Sequence, residues 1–382
     1  MIDVLIVGAG PAGSVAATVL ARAGARVRLV DRAAFPRDKL CGDTVNPGTL
    51  ALLRRLGLSA CVDGHGLPVD GMRLTGENGV TIDGRYPDGL TGRALVRRDV
   101  DWSLLLSAIA AGAEFDSPAA VRAAVIDEQS DSRRVGGVIL GRRGGPTHPL
   151  RARVTIAADG RRSTIAFGLR LARHPRRPRR WAIGGYFAEV GGLSAFGEMH
   201  VRGGRYIGVA PVPGGLANVC LVTPLRPGEA GLGDPASVLR RELARDAMLR
   251  DRFMHARLAN PPVVLGPLAV DVVRDDVDGL LLAGDAAGFV DPITGDGLRF
   301  AVRGGELAAI AALEALEHGW VGVHRRLAAR RRREFRGKYR FNRAIRALVG
   351  SSRAVDAAAF GARFAPGIFK SIISKAGDCD LC

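Results

Sequence analysis

The stretch VLIVGAGPAGSVAATVLARAGARVRLVDR, from Val4 to Arg32, decides the fold of this chain. Its first residues, Val4–Val7, are apolar throughout, which is typical of a strand buried on both faces. After a glycine-rich turn, Ser14–Ala23 is rich in alanine and valine and predicts a helix packed closely on a sheet. The segment Ala25–Val30 predicts a second strand, which ends at Asp31. The order strand, turn, helix, strand predicts a parallel βαβ unit.

Each glycine of the turn has a physical role. Gly8 permits the tight turn, Gly10 lets the backbone approach a pyrophosphate, and Gly13 lets the helix lie close to the strand. The helix N-terminus presents unpaired N–H groups and the positive end of its dipole to an anion. A carboxylate at Asp31 can accept hydrogen bonds from a ribose diol. The whole stretch therefore predicts a dinucleotide-binding unit.

Two later motifs extend the predicted ligand site. Ala157–Ser163 (AADGRRS) follows an apolar strand, and Gly279–Ala283 is another apolar strand that leads to Asp285. A carboxylate at a strand end, before small residues, can bind a polyol chain such as ribityl. Asp291–Leu298 (DPITGDGL) then opens an alanine-rich helix. The turn at Gly295–Leu298 predicts a second helix N-terminus, which can stabilise negative charge on a reduced ring.

These motifs, together with Phe35–Asp43 (FPRDKLCGD), carry a resemblance to a known family. The chain resembles FAD-dependent enzymes with the fold of p-hydroxybenzoate hydroxylase, and within them the geranylgeranyl reductase branch, which has a similar Lys-x-Cys-Gly stretch. The resemblance implies an α/β fold with a discontinuous Rossmann-type FAD-binding domain, an antiparallel β-sheet substrate domain and a helical C-terminal part. It also implies FAD as the cofactor, with electrons from NAD(P)H or from another donor.

The resemblance assigns roles residue by residue. Arg97 would contact the diphosphate or ribityl region, Val121 the adenine by its backbone, and Gly297 and Leu298 the isoalloxazine ring by backbone N–H groups. Cys41 would lie near the flavin and is the candidate catalytic residue, for delivering a proton or for shaping the site; a thiol can equally be a small packed hydrophobe. The implied cofactor-binding residues are Gly8, Gly10, Ala12, Gly13, Asp31, Cys41, Gly42, Arg97, Val121, Asp159, Asp285, Gly295, Gly297 and Leu298.

The motifs lie far apart in the sequence, so the predicted FAD-binding domain is discontinuous. The segments between them alternate or are rich in β-branched residues, and they predict an antiparallel sheet that forms a roof over the flavin. Within this part, Pro235–His255 predicts one helix. The predicted domains are residues 1–70, 96–180 and 265–330 for FAD, 71–95 and 181–264 for the substrate, and 331–382 for a helical C-terminal extension.

The chain is strongly basic, with 55 Lys and Arg residues against 38 Asp and Glu and a formal charge of +17. Arginine codons in a G- and C-rich genome explain this bias, and an anionic partner explains it equally. The apolar segment Ala354–Ala376, with the clusters Arg170–Arg180 and Arg325–Arg346, could lie on an anionic membrane surface or close a hydrophobic substrate pocket. The charges lack regular aromatic interleaving, so we expect no nucleic acid partner.

Cysteine usage and the N-terminal sequence predict a cytoplasmic protein that could bind peripherally to a membrane. The five cysteines are scattered, no signal peptide is recognisable, and no run of about 18 apolar residues occurs. The histidines show no ligand spacing, so no metal site is predicted. Cys379 and Cys382 have the spacing of a redox or metal pair, but for these last residues a disordered end is predicted.

Two flavin reactions compete for this sequence. The first is reduction of a double bond in a prenyl or similar lipid chain, which the stretch Lys39–Gly42 and the TGDGL motif favour. The second is hydroxylation of a hydrophobic aromatic or polyketide substrate. It stays open because the reductases of the branch carry a Tyr-x-Trp-x-Phe-Pro strand, whereas Tyr206–Pro213 lacks the Trp and Phe. The Trp-x-Trp-x-Ile-Pro signature of flavin halogenases is absent, and a third hypothesis is a non-catalytic binding protein that kept the fold.

Overall fold

The computed structural model describes residues 1–129, 132–141, 145–176, 180–224, 233–351, 354 and 366–382. The helices there are α1 (Pro11–Arg22), α2 (Pro47–Arg55), α3 (Arg97–Ala110), α4 (Thr164–Gly168), α5 (Pro235–Arg245), α6 (Gly297–His318), α7 (Val323–Val349) and α8 (Pro366–Gly377). The first strands are β1 (Ile2–Val7), β2 (Val27–Val30), β3 (Thr44–Val45), β4 (Leu67–Val69), β5 (Gly71–Thr75), β6 (Thr81–Arg85), β7 (Gly92–Ala94), β8 (Glu114–Asp116), β9 (Ala120–Gln129), β10 (Ser132–Gly141) and β11 (Thr147–Ala157). The later strands are β12 (Ala172–Arg173), β13 (Trp181–Ala188), β14 (Phe196–Arg202), β15 (Arg205–Val212), β16 (Leu216–Thr223), β17 (Arg257–Leu258), β18 (Val263–Leu265), β19 (Asp271–Val272) and β20 (Leu280–Leu282).

The predicted βαβ unit forms the centre of a seven-stranded sheet. β1 pairs in parallel with β2 on one side and β11 on the other, and β8 extends the sheet beyond β2. β20, the strand before Asp285, pairs in parallel with the end of β11. The first part of β11 forms an antiparallel ribbon with β10 and β9. Because β1, β2, β11 and β20 run in parallel, their carboxyl ends meet at one edge of the sheet, where ligands of such folds bind.

Two alanine-rich helices, α1 and α6, pack against each other and against this sheet. Their facing residues are fully buried, among them Ala16, Ala17 and Ala308. A Cβ on Gly305 of α6 would lie 2.3 Å from the backbone oxygen of Ala12 in α1, so only glycine permits this crossing. The close contact fixes the N-termini of the two helices relative to each other.

The second sheet, which corresponds to the predicted roof, has the strand order β17-β13-β16-β15-β14-β5-β6, with β18 beside β13. Its pairs are antiparallel, except that β5 and β14 run in parallel. One face packs against α5 through residues such as Phe187 and Val219. The other face carries Ala182 and Val222, which pack with Ile293 from the loop before α6. The second face is therefore the one that meets the site.

Helix α5 is shorter than predicted, because it ends at Arg245 and not at His255. The carboxylate of Asp246 accepts hydrogen bonds from Arg202 Nη2 at 3.1 Å and from the N–H of Met248 at 2.9 Å. These contacts draw the chain out of the helix into a turn. The prediction of one helix over the whole segment is wrong beyond Arg245.

The C-terminal part is helical, as predicted, but its last residues form a defined turn. The chain ends in a 3-10 turn at Cys379–Leu381 in which Cys379 is buried. The predicted disordered end is therefore wrong, because Lys338 Nζ lies 3.1 Å from Asp378 Oδ2 and holds this segment. Residues 355–365 of the predicted apolar segment lie outside the described residues. The predicted domain limits stay predictions, and α7 passes through residue 330 as one helix.

No helix in the described part of the chain is long and apolar enough to cross a membrane.

Candidate functional site

The glycines of the first turn fall into two groups, crowded and open. A Cβ on Gly8 would lie 2.5 Å from the backbone oxygen of Ala158, and one on Gly13 would lie 1.9 Å from that of Gly8. These two glycines let strand, helix and the neighbouring loop touch. A Cβ on Gly10, the N-cap of α1, would meet nothing nearer than Arg37 Nη2 at 3.5 Å. The N-terminus of α1 is therefore an open, positively polarised cradle for an anion.

Asp31 lies at the carboxyl end of β2, beside this cradle. Its carboxylate accepts hydrogen bonds from the N–H groups of Ala9 at 2.8 Å and Ala33 at 2.9 Å. Its backbone oxygen accepts from the N–H of Ala119 at 2.7 Å, which brings the start of β9 to the same place. Val121 follows two residues later, within β9. The structure thus brings the predicted ribose and adenine contacts to the same edge of the sheet.

A largely buried chain of charges joins the cradle to α3. Arg37 Nη1 lies 3.4 Å from Asp101 Oδ2, and Arg97 Nε donates to Asp101 Oδ1 at 2.6 Å. Lys39 belongs to the same cluster: burial lowers the pKa of its ammonium group, Arg97 lowers it further, and Asp285 and Asp101 oppose this. Arg37 Nη2 also lies 3.9 Å from Asp31 Oδ2, so three cations here face three carboxylates. The guanidinium groups of Arg37 and Arg97 can donate charge-assisted hydrogen bonds to a diphosphate.

Asp285 and Asp159 lie at the ends of neighbouring strands, next to α1. A Cβ on the glycine before Asp285 would lie 2.9 Å from Cβ of Ala12, so the turn after β20 touches the start of α1. Asp159 follows β11, with its Cα 2.7 Å from the Cβ position of Gly8. Its Oδ2 accepts from the N–H of Thr164 at 2.8 Å, and burial raises its pKa. Both predicted residues lie beside the N-terminus of α1, and Asp159 also accepts the N–H of the first residue of α4.

The N-terminus of α6 is open in the same way. Gly295 adopts a left-handed φ of +69°, and Asp296 is the N-cap. In the part of the chain that the structure describes, a Cβ on Gly297, the first residue of α6, would meet no heavy atom within 4 Å, and the same holds for Gly42 in the loop before β3. The first N–H groups of a helix lack intrahelical partners. Those of Gly297 and Leu298 can therefore be offered to a ligand.

Cys41 and Asp43 lie where the loop before β3 meets the second sheet. Cys41 Sγ accepts a hydrogen bond from Arg97 Nη1 at 3.3 Å. Asp43 is 1% exposed, and its Oδ2 accepts from the hydroxyl of Tyr186 at 2.5 Å and from Asn218 Nδ2 at 2.8 Å. Burial raises the pKa of Asp43 to about 7, although Tyr186, Arg97 and Asn218 each act to lower it.

Sequence reasoning missed the group formed by Asp43, Tyr186 and Asn218. Tyr186 and Asn218 are 143 and 175 residues from Asp43, and they become neighbours because they are opposite in the register of β13 and β16. The one signal in the sequence was the position of Asp43 directly after the Cys41-Gly42 pair.

The residues present fit a flavin dinucleotide. At Gly10, Gly42 and Gly297 an added Cβ would find open space or only a flexible side chain, and the resemblance places the backbone of these positions against FAD. The N-terminus of α1 suits the diphosphate, and Asp31 suits the adenosine ribose. The N-terminus of α6 suits the isoalloxazine ring. When bound, FAD supplies hydride transfer or oxygen activation, and the protein supplies binding and orientation.

Comparison with known proteins agrees with this geometry. A family described as FAD binding domain matches residues 1–338. Digeranylgeranylglycerophospholipid reductase 2 of Methanopyrus kandleri is 34% identical over 331 residues, which cover 82% of this chain and 78% of that protein. The chain belongs to the geranylgeranyl reductase family of FAD-dependent oxidoreductases. Menaquinone reductase of Mycolicibacterium smegmatis is also similar, at 32% identity over 322 residues, covering 80% of this chain and 75% of that protein.

Solved structures share the fold. A geranylgeranyl bacteriochlorophyll reductase-like protein from Thermoplasma acidophilum superimposes with a TM-score of 0.79 at 22% identity, covering 93% of this chain and 89% of that one. The myxobacterial chondrochloren halogenase superimposes with a TM-score of 0.80 at 23% identity, covering 90% and 82%. At such identities the likeness shows the fold alone. The predicted family, fold class and FAD cofactor are confirmed.

Proposed function

We propose that this enzyme reduces carbon–carbon double bonds in a prenyl or other lipid-like substrate. The observation that carries the proposal is an apolar part of the second sheet, built from small residues, on the face that meets the site. Gly184 and Gly208 both pair with Cys220 in the register of β13, β15 and β16. Leu40 Cδ1 lies 2.5 Å from where a Cβ on Gly184 would be. We call this part of the face, formed by Ala182, Gly184, Gly208 and Cys220 with Leu40 packed over Gly184, the apolar slot; its apolar lining suits an isoprenoid chain.

The names of two relatives support the substrate class. One is called a reductase of a digeranylgeranylglycerophospholipid and the other a reductase of menaquinone. We carry over only the class of substrate, a lipid. Cys41 stays the proposed residue beside the flavin, where its thiol borders both Arg97 and the loop of Asp43. The FAD contacts named from the sequence are likewise proposed contacts, at the positions described above.

The test uses the FAD-loaded protein without oxygen, with NADPH as the proposed electron donor. Two probe lipids are supplied in detergent micelles, a digeranylgeranyl glycerophospholipid and a menaquinone. Mass spectrometry of the recovered lipid should show a gain of two hydrogens per reduced bond in the isoprenoid chain. In a parallel experiment dithionite replaces NADPH and reduces the flavin directly. Lipid that is reduced with dithionite but not with NADPH would show that the reaction is right and the proposed electron donor is wrong. Reduced flavin that hydrogenates neither lipid would overturn the reductase proposal.

One observation favours hydroxylation of a hydrophobic aromatic or polyketide substrate as a second candidate. The strand Tyr206–Pro213 has no Trp or Phe to support a lipid chain. Hydroxylation requires oxygen, so its turnover would stop without oxygen and otherwise consume one O₂ per product. Reduction would continue without oxygen. If the flavin turns over with neither the lipids nor the aromatic or polyketide substrates, the result would support a non-catalytic binding protein.

We also propose that α7 binds an anionic membrane surface, where a lipid substrate would be found. The separations 7, 4, 4 and 3 along α7 put five exposed arginines on one side of the helix, and among the described residues none of the five forms an ion pair. Inner arginines of α7 are paired, as Arg331 is with Asp275 at 3.5 Å. We call this set the α7 arginine stripe: Arg325, Arg332, Arg336, Arg340 and Arg343. The cytoplasmic location stays a prediction.

A further inference from the structure

We propose that Asp43 and Tyr186 form a relay that delivers the proton in double-bond reduction, a role that rests on the proposed reductase function. The two groups are joined by a short hydrogen bond, 2.5 Å from the Tyr186 hydroxyl to Asp43 Oδ2. Asp43 is 1% exposed, whereas Tyr186 is only partly buried. The acid therefore exchanges protons through the phenol and not directly with water.

Tyr186 stands at the apolar slot. Alternate residues of a strand share a face, so Tyr186 lies on the face of β13 that carries Ala182 and Gly184. Cys41 is close enough to Tyr186 for its charge state to affect the pKa of the phenol. The Tyr186 hydroxyl thus lies between the loop of Cys41, which is proposed to border the flavin, and the apolar slot, which is proposed to bind the lipid chain.

The partners of Asp43 decide which of its oxygens carries the proton. Asp43 Oδ1 accepts from the backbone N–H of Arg97 at 3.2 Å, and an N–H cannot accept in return. Oδ2 faces the Tyr186 hydroxyl, which can both donate and accept. The acid proton is therefore held on Oδ2, directed at Tyr186. A carboxyl whose pKa is raised to about 7 by burial still carries this proton in part at neutral pH.

The proposed step balances in protons and electrons. One carbon of the double bond accepts a hydride from the reduced flavin, and the π electron pair forms the other C–H bond with the phenolic proton of Tyr186. Asp43 Oδ2 passes its proton to the Tyr186 oxygen and becomes a carboxylate. The N–H groups of Asn218 and Arg97 stabilise that carboxylate until it regains a proton from water through the Tyr186 hydroxyl. The products are a saturated bond and oxidised flavin.

The test follows a single turnover of the reduced, FAD-loaded protein without oxygen, using the digeranylgeranyl glycerophospholipid as probe. The wild-type rate constant should be flat at low pH and fall above about pH 7, where Asp43 loses its proton. Tyr186→Phe and Asp43→Asn should lower it by on the order of 10²–10⁴-fold and remove that fall with pH. Asn218→Ala removes a donor to the carboxylate, so the pKa of Asp43 rises and the fall should move to higher pH.

Tyr206→Phe is the matched control. It removes another buried phenol of the same sheet that also donates to an aspartate, Asp291 at 2.6 Å, and it should keep the wild-type pH profile. A second readout needs no turnover: infrared difference spectra between pH 6 and 8 should show a protonated carboxyl band that is smaller in Asp43→Asn, where only the contribution of Asp296, whose pKa burial raises to about 6, remains. A band of equal size in Asp43→Asn would overturn the relay.

The remaining outcomes separate the relay from the function. If the wild type hydrogenates lipid and a folded Tyr186→Phe keeps its rate and pH profile, the relay is wrong and the reductase function stands. If Tyr186→Phe does not fold, Asn218→Ala decides, because an unshifted profile contradicts the relay. If Cys41→Ala abolishes the pH dependence, the proton comes from Cys41 and not from Tyr186. A wild type that hydrogenates no lipid overturns the function itself, whatever the infrared band shows.

Discussion

Lys338 Nζ lies 2.9 Å from Asp296 Oδ1, and the two side chains are 6% and 2% exposed. Asp296 caps the helix whose N-terminus borders the proposed ring site, whereas Lys338 belongs to α7. The same ammonium group lies 3.1 Å from Asp378 Oδ2 and donates to the backbone oxygens of Lys375 at 2.6 Å and Ala376 at 3.0 Å. One buried cation therefore ties the end of the chain and α7 to the start of α6.

Lys338→Met should destabilise the protein strongly. The substitution keeps the apolar part of the side chain and leaves Asp296 buried without its cation, whereas Asp378 keeps Arg299 Nε at 3.9 Å. Removing one partner of a buried ion pair costs about 3–5 kcal/mol, so the free energy of unfolding in urea should fall by that amount. Lys370→Met is the control, because Lys370 is exposed and a surface change of this kind stays within about 0.5 kcal/mol. Equal losses in the two variants would contradict the role of Lys338.

The raised pKa of Asp43 predicts how stability depends on pH. The carboxyl has a pKa of about 7 when folded and 3.8 when unfolded, so between these values the folded state holds a proton that the unfolded state has lost. The contribution to stability is complete below pH 3.8 and is lost as the pH rises to about 7. Each pKa unit corresponds to about 1.4 kcal/mol.

Asp43→Asn isolates this effect because the amide does not titrate. The free energy of unfolding of the wild type, minus that of Asp43→Asn, should decrease by a few kcal/mol between pH 5 and 8. Urea denaturation of both proteins at each pH gives this difference directly. A difference that stays flat or grows with pH would show that Asp43 is ionised throughout in the folded protein.

Gly297→Ala should weaken FAD binding without harming the fold. A Cβ there meets no atom of the described residues within 4 Å, so we expect the clash to come from the ligand that the α6 N-terminus receives. We expect at least about tenfold weaker binding of FAD to the apoprotein, equivalent to about 1.4 kcal/mol, measured by the quenching of flavin fluorescence.

The matched control for this variant is Gly337→Ala, at an exposed position of α7 that also has no heavy atom within 4 Å of the added Cβ. It should keep the affinity for FAD and gain about 0.5–1 kcal/mol of stability from better helix propensity. Wild-type affinity in Gly297→Ala would remove the α6 N-terminus from the FAD site.

The parts of the fold that sequence predicted are those with local signals. The βαβ unit follows from an apolar run, three glycines and Asp31 within about 30 residues. In the same way, the start of α6 was predicted from Gly295 and Gly297, which flank Asp296. In both cases the residues that specify the turn lie in the turn itself.

The parts that sequence did not predict depend on distant partners. Asp43 acquires its chemistry from Tyr186 and Asn218, and the register of two strands brings these together. The end of α5 depends on Arg202 beside Asp246, and the turn at the end of the chain depends on Lys338 in a basic helix. A charge run in sequence cannot show that one of its cations is buried, because burial is decided by the packing of α7 on α6.

Charge reversal within the α7 arginine stripe should abolish binding to anionic vesicles. Each arginine near an anionic surface contributes about 1 kcal/mol, so the triple variant Arg332→Glu, Arg336→Glu and Arg340→Glu should bind at least on the order of 10²-fold more weakly. Cosedimentation with vesicles of phosphatidylglycerol and phosphatidylcholine measures this. Wild-type binding should also weaken as salt rises, because exposed charges are screened over about 8 Å at physiological ionic strength.

The matched control changes net charge by the same amount elsewhere, at three exposed arginines on β9, β10 and α5 that form no ion pair among the described residues: Arg122→Glu, Arg133→Glu and Arg240→Glu. If net charge alone drove binding, both triple variants would lose it equally. A stripe that docks on the bilayer predicts that the α7 variant loses binding and the control keeps most of it. Equal loss would show that the α7 arginine stripe is only a solvent-exposed charged surface. In that case the arginines of α7 would not bind a specific anionic partner.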